Sequence, residues 1–476
     1  MTLARHTGTL LMSVAIAAAA HGQANLSPTA AAVEAETLRH FQALVRMDTT
    51  SPPGNEKPAA DYVAQVLERE GIPVQTFALE AHRPNVVARL TGNGRKRPLL
   101  LMAHTDTVNV DPAKWTHPPF SAARDDGHIY GRGTVDDKDT VTAALMTMLL
   151  LKRNLVALDR DVILLAEAGE ESDTEFGIEF MVEQHWDTID AEYCIAEGGS
   201  ATRVAGDLRY VGVQTAEKFP KGIDLIAHGV AGHGSVPLES NPITHLARAI
   251  NVLTQWQPPV VLNETTRNYF ARLAEIEEGA VARRYRDVLS SDPAVVAAAD
   301  AWLRANDPSK ASMLRTSVSP NIVQGGYRNN VIPSEARVTL DVRMRPDDDP
   351  DAFRAEIERL VNNPKIDVVF NGFGQRPPGL SSPIDGEAFV AIERAITAHY
   401  AAPAVPTMST GATDMAFLRA KGMRCYGVGP AVDQEDGPLG FGAHSDQERI
   451  LEQELYRFQR FFYDAVVRLA GAAPSR

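Results

Sequence analysis

Histidines and carboxylates recur in this chain directly after short apolar runs, a placement suited to metal-assisted chemistry. The stretch Leu99-Leu-Leu-Met-Ala-His104-Thr-Asp106 ends in a His-x-Asp pair, and an Asp two residues from a His can orient its imidazole. Tyr130-Gly-Arg-Gly133-Thr-Val-Asp136-Asp137-Lys138 sets two acids and a lysine behind a glycine turn. Helix capping needs only one of those acids, and the turn lacks the Gly-Lys-Ser/Thr ending of a phosphate loop, so a cation site suits it better. Ala168-Gly169-Glu170-Glu171-Ser172 places paired acids after another apolar run. Like charges repel there unless a cation compensates, and one acid can bind metal while its neighbour acts as general base on a metal-activated water. Glu197, in Cys194-Ile-Ala-Glu-Gly-Gly, repeats the pattern, and Phe441-Gly-Ala-His444-Ser-Asp446-Gln-Glu448 adds a second loop histidine. Each has a bland alternative as a cap, a loop acid or a surface histidine. Together they point to a metal centre.

The elements that must carry these residues follow from periodicity. Pro58 to Glu70 reads as an amphipathic helix stopped by Gly71. Val74–Leu79, Asn85–Leu90 and Pro98–Ala103 read as strands, the last buried on both faces. Val141 to Arg153 has helical spacing, and Val162 to Ala166 is another buried strand. Strand, helix, strand at this spacing predicts an α/β domain with a parallel or mixed sheet, whose strand ends bind ligands. From about Tyr210 the texture changes. Ile223–His228 and Ala336–Val342 alternate, Pro242–Thr254 and Asp351–Val361 are helical, and Ile366–Phe370 is a strand, which predicts a small α+β layer inserted into the larger domain. The polar, helix-rich stretch 263–317 reads as an elaboration of that insert. A helix at Gly386–Tyr400, a strand near Cys425–Val428 and a helix at Glu452–Leu469 return to the α/β texture.

Composition excludes other classes. The 476 residues are 44% hydrophobic and 23% charged, enough apolar material for a folded core, and the length predicts more than one domain. Sixty-one acids against 47 bases give a net charge of −14, the wrong sign for nucleic-acid binding. Two cysteines, Cys194 and Cys425, cannot form a disulfide framework; whether they pair is open. Residues 1–24 read as a secretory signal, with Arg5, an apolar stretch from Leu10 to Ala20 and Gly22-Gln23-Ala24 as the cleavage site. That stretch is short of the roughly 20 residues that span a bilayer, so the expectation is an exported protein, periplasmic or secreted, without a membrane span.

In this order the motifs resemble the di-zinc exopeptidase and amidohydrolase family of aminoacylases, glutamate carboxypeptidases and succinyl-diaminopimelate desuccinylase, over about residues 37–469. The resemblance is greatest to the larger carboxypeptidase-like members. It implies an α/β zinc-dependent exopeptidase-like catalytic domain over 25–215 and 373–476, interrupted by an α+β lid over 216–372. Residue by residue, His104 and Glu197 would bind one zinc, Glu171 and His444 the second, and Asp136 both. Asp106 would stand behind His104, and Glu170 would be the general base. Gly229-Val-Ala-Gly232-His233 is similar to the lid loop whose histidine stabilises the oxyanion. Asn330-Val-Ile-Pro333 with Asp341-Val-Arg343, and Gly411-Ala-Thr-Asp414, are similar to substrate-contacting segments, which makes Asn330, Arg343 and Gly411 substrate-side candidates. One departure is Asp139, where the family usually has Gly.

The implied activity is hydrolysis of an amide bond in short peptides or N-acyl amino acids, with two Zn2+ per chain, Mn2+ or Co2+ being compatible with the same ligands. An arginine such as Arg343 can hold a free C-terminal carboxylate bidentately; its bland alternative is a pair with Asp341. Glu at 197 leans toward the carboxypeptidase-like members. The alternatives are an aminopeptidase or dipeptidase reading a free amine, and a non-catalytic binding protein, which would leave Glu170 and Asp106 without a task. Family lids often pair, so a homodimer through the lid is expected unless the 263–317 segment blocks that surface.

Overall fold

The computed structural model describes residues 29–373 and 376–472; the signal-peptide expectation at 1–24 lies outside them. Apolar runs with β-branched residues form a ten-stranded mixed sheet at the centre of the larger domain. At its middle, Leu99–His104 lies parallel to Val162–Glu167 on one side and Tyr193–Ala196 on the other, and Arg424–Gly427 joins parallel to Tyr193–Ala196. Every residue of Leu99–His104 and Val162–Glu167 is buried. Helices cover both faces, as a parallel core requires: Lys57–Arg69, Lys138–Arg153, Glu387–Tyr400 and Glu452–Ala470 share one apolar cluster, and Ile178–Gln184 and Met415–Ala420 contribute to another. Among the described residues no helix is long and apolar enough to cross a membrane.

The chain leaves this sheet abruptly. Asp207–Glu217 belongs to the central sheet and Phe219–His228 to a second one, with only Lys218 between them. Lys218 is fully buried, its ammonium donating to Ser312 Oγ at 3.1 Å and Ser317 Oγ at 3.2 Å. The second sheet has four antiparallel strands in the order Ser317–Gly325, Glu335–Met344, Phe219–His228 and Ile366–Phe370. Ala336, Val338, Leu340 and Val342 all face its core, beneath Pro242–Gln255 and Pro350–Val361, so the period-2 alternation holds. The helices between residues 264 and 312 take a different partner. Phe270, Leu273 and Leu303 cluster with Ala216, Val405 and Met408 of the central sheet, so this segment, expected as an elaboration of the lid, packs on the catalytic domain.

The end of the chain is tied to the middle of the first half by a buried ion pair. Arg132 Nη1 donates to Glu448 Oε2 at 2.6 Å, and Glu448 Oε1 accepts from Val135 N–H at 2.9 Å. Both side chains are inaccessible to solvent, at 2% and 0% exposure. This clamp holds the loop bearing Asp136 against the loop bearing His444. Glu448→Ala leaves a buried guanidinium without its acid, so denaturant unfolding should show a loss of about 3–5 kcal/mol. Wild-type stability in that variant would contradict the clamp.

Candidate metal centre and active site

Parallel strands bring their carboxyl ends to one edge, and that is where the acids collect. His104 ends its strand and stands beside Glu167 at the end of the neighbouring strand. Two residues later the backbone turns at Gly169 (φ +76°), where a side chain would meet Asp173 O at 2.4 Å; only glycine fits, and the turn lifts Glu170 and Glu171 out of the strand. Glu197 directly follows Tyr193–Ala196. Asp136 arrives just before the helix Lys138–Arg153, whose first turn accommodates Asp139 as a buried residue, so the departure from glycine leaves the helix intact. His444 comes from the C-terminal loop with φ +62°, a left-handed conformation uncommon outside functional or turn positions.

The side chains converge on one carboxylate. Asp136 Oδ1 lies 3.0 Å from His104 Nε2, and Asp136 Oδ2 lies 3.0 Å from His444 Nε2. Glu171 Oε2 is 3.2 Å from His444 Nε2, and Glu197 Oε2 is 4.0 Å from His104 Nε2. Asp106 is fully buried behind them. Its Oδ1 lies 3.4 Å from His104 Nδ1, and its two oxygens accept from the N–H groups of Glu170 (3.2 Å) and Glu171 (3.1 Å). One carboxylate thus orients an imidazole and fixes the turn carrying the paired glutamates. Asp137 accepts from the His104 N–H at 3.2 Å.

The electrostatics fit a cation-binding site. Burial pulls the His104 imidazole down, yet hydrogen bonds to Asp106 and Asp136 outweigh it and hold its pKa well above the usual range. His444 is pushed up to about 10 by its hydrogen bonds to Asp136 and Glu171. Burial, with repulsion from neighbouring acids, raises Glu197 well above the carboxylate range. Such a cluster of acids calls for positive charge, which divalent cations supply. The donors also fit in space: ligand atoms of His104, Asp136 and Glu171 all lie within 4.8 Å of one another, as do those of His104, Asp137 and Glu197. Glu171 Oε1 is buried and has no hydrogen-bonding partner among the described residues, which leaves a lone pair open to a ligand. Beside the ligands lies a cavity of about 480 Å³ whose walls include Asp136, Glu197, Val432 and Phe441, a volume suited to a small organic substrate.

The remaining candidates lie elsewhere. His233 and Asn330 come together on a two-stranded ribbon of the smaller domain, where His233 pairs with Val331 and the Asn330 carbonyl accepts from Gly234 N–H at 2.9 Å. His233 Nδ1 accepts from Ser235 Oγ at 2.6 Å, and no described residue of the metal cluster is in hydrogen-bonding or ion-pair contact with it. Arg343 donates to both oxygens of Asp341, at 2.8 and 3.3 Å, the bland pairing weighed against a substrate role. At Gly411 a side chain would meet nothing closer than Ser409 Oγ at 3.5 Å, so its backbone does not demand glycine. Three residues on, Asp414 is fully buried and binds Arg376, which in turn donates to Glu170 Oε1 at 2.6 Å. Sequence reasoning passed over Arg376, which lies in a Pro- and Gly-rich connector with no motif, and it stopped at Gly411 within the segment that carries Asp414.

Both the sequence and the fold have known counterparts. Residues 100–468 match peptidase family M20/M25/M40. The N-fatty-acyl-amino acid synthase/hydrolase PM20D1 of Xenopus tropicalis is 25% identical over 387 residues, 78% of this chain and 72% of that protein. Succinyl-diaminopimelate desuccinylase of Hydrogenovibrio crunogenus is 23% identical over 91% of this chain and 99% of its own. Among solved structures, the M20 family metallo-carboxypeptidase Sso-CP2 from Sulfolobus solfataricus superposes with a TM-score of 0.68 at 21% identity, covering 91% of this chain and 99% of that one. Human carnosine dipeptidase 1 superposes with a TM-score of 0.64 at 16% identity, covering 92% and 97%. With the family match spanning most of the sequence and a cluster of metal-ligating side chains at its centre, the chain belongs to peptidase family M20/M25/M40 and is a metallohydrolase.

Proposed function

We propose that the protein hydrolyses the amide bond of N-acyl amino acids or short peptides that carry a free C-terminal carboxylate, with two zinc ions as the resident metals. The observation that carries this reading is the Asp136 carboxylate, one oxygen toward each histidine, with Glu171, the neighbour of Glu170 in sequence, meeting the same His444. His104 and Glu197 would hold one ion, His444 and Glu171 the other, and Asp136 both. A pair of bound zinc ions supplies an acidified water and Lewis-acid polarisation of the scissile carbonyl. The chain does the rest. Glu170 takes the water proton and delivers it to the leaving nitrogen. Asp106 holds His104 and the Glu170–Glu171 turn in register. His233 serves the oxyanion once the lid presents it at the cleft.

The desuccinylase and N-acyl amino acid relatives support an acyl amino acid as substrate, and the alternative is a dipeptidase or aminopeptidase that reads a free amine. Pairing of two chains through the lid, whose outer strand leaves Ile322 and Val323 exposed, and export guided by residues 1–24 belong to the same reading.

Two measurements test it. Glu170→Gln should lower kcat by about 100- to 10,000-fold while metal content stays near wild type, whereas Asp136→Ala should lose metal; near-normal turnover in Glu170→Gln would remove Glu170 from its role. In a panel of acyl amino acids and dipeptides, converting the substrate carboxylate to an amide should abolish hydrolysis. Retained hydrolysis of the amides, with loss on blocking the amine, would establish the free-amine alternative.

A further inference from the structure

Glu170 is gripped by a residue far from it in sequence. The guanidinium Nη2 of Arg376, in the connector that returns from the smaller domain, donates to Glu170 Oε1 at 2.6 Å and to the Glu170 main-chain carbonyl at 2.9 Å. Among the described residues no group donates to the other carboxylate oxygen, Oε2, which is therefore available to a water. The guanidinium is itself held: Arg376 Nε and Nη2 both donate to Asp414 Oδ1, at 3.3 and 3.0 Å. Asp414 has no solvent exposure, and Arg376 keeps 18%.

The anchor is rigid for a reason visible one residue earlier. Thr413 N–H and Thr413 Oγ1 both donate to Glu217 Oε2 at 2.8 Å, and Glu217 Oε1 accepts from Arg419 Nη1 at 2.6 Å. Glu217, Arg419 and Thr413 are all buried. A chain of charge-assisted hydrogen bonds, which are short and directional, thus runs from the last residue of a central strand to the carboxylate of Glu170. A surface arginine that merely balanced acids would have no need of a buried acid to fix its plane, nor of contacts to both the side chain and the backbone of one residue.

We propose that Arg376, held in plane by Asp414, positions the Glu170 carboxylate for proton transfer. This rests on Glu170 being the base. Arg376 acts on the reacting atoms only through Glu170, so it and Asp414 are positioning residues.

The test is a kinetic and structural comparison of Arg376→Ala, Arg376→Lys and Asp414→Asn in the full-length, metal-loaded protein. Displacing a reacting group by about 1 Å can cost about 100-fold in rate, so Arg376→Ala should lose about that much in kcat, with KM and metal content little changed. Added guanidinium ion should restore part of the rate to Arg376→Ala and none to Glu170→Gln, a response that a general loss of packing does not produce. Arg376→Lys, which keeps a cation and a donor, should fall between wild type and Arg376→Ala and carries the kinetic test where the alanine variant does not fold. Unchanged kcat with raised KM in Arg376→Ala would overturn the proposal and make Arg376 a substrate contact instead. A crystal structure of Asp414→Asn reads the same inference without turnover: a displaced Glu170 carboxylate supports it, and an unmoved one refutes it, even where the proposed substrates are not hydrolysed.

Discussion

One carboxylate stands between two imidazoles that come from opposite ends of the chain. Asp136 reaches His104 with one oxygen and His444 with the other, each at 3.0 Å. Around it are further acids, Asp106, Glu170, Glu171 and Glu197, that repel one another, with Asp106 fully buried and Glu171 nearly so. Such a concentration of charge is costly without a cation, and much of the surrounding architecture is what keeps it together. Parallel strands bring three strand ends to the same edge, Asp106 braces both His104 and the Glu170 turn, and the Arg132–Glu448 pair ties the Asp136 loop to the loop of His444.

The smaller domain is attached so that it can serve this edge without belonging to it. A single residue, Lys218, separates a strand of one sheet from a strand of the other, and the return connector carries Arg376 back to the site. The helices between residues 264 and 312 lie against the central sheet instead of lengthening the lid. His233 and Asn330 remain together on the lid's two-stranded ribbon. His104 and Glu197 thus stand at strand ends and Glu171 on the turn just beyond one, Asp136 and His444 come from loops, and His233 and Asn330, expected to read the substrate, sit on a separate layer.

Much of this was legible in the sequence, for identifiable reasons. Strand ends such as Met102-Ala103-His104 and Leu165-Ala166-Glu167 announce themselves because buried apolar runs break abruptly into polar residues. The lid strand Glu335–Met344 was readable from its alternation. The positions of Glu170, Glu171 and Asp136 followed from local motif, and the structure brings all five proposed ligands together. What local pattern cannot carry is a contact made by an irregular segment. Arg376 has no periodic neighbours, and its meaning lies in Glu170 and Asp414, some 206 and 38 residues away in sequence. Arg343 shows the opposite case: the sequence left it open between a substrate carboxylate and Asp341, and the structure shows the pair with Asp341, two residues earlier on the same face of its strand. The packing of the 264–312 helices was likewise hidden, because their apolar faces do not say which sheet they cover.

Asp136 would join two metal ions, and anomalous X-ray diffraction from crystals of the zinc-loaded protein is the measurement that shows it. Two zinc peaks should flank the Asp136 carboxylate, one beside His104 and Glu197 and the other beside His444 and Glu171, with ligand distances of about 2.0–2.2 Å. A single peak, or two peaks neither of which touches Asp136, would contradict it.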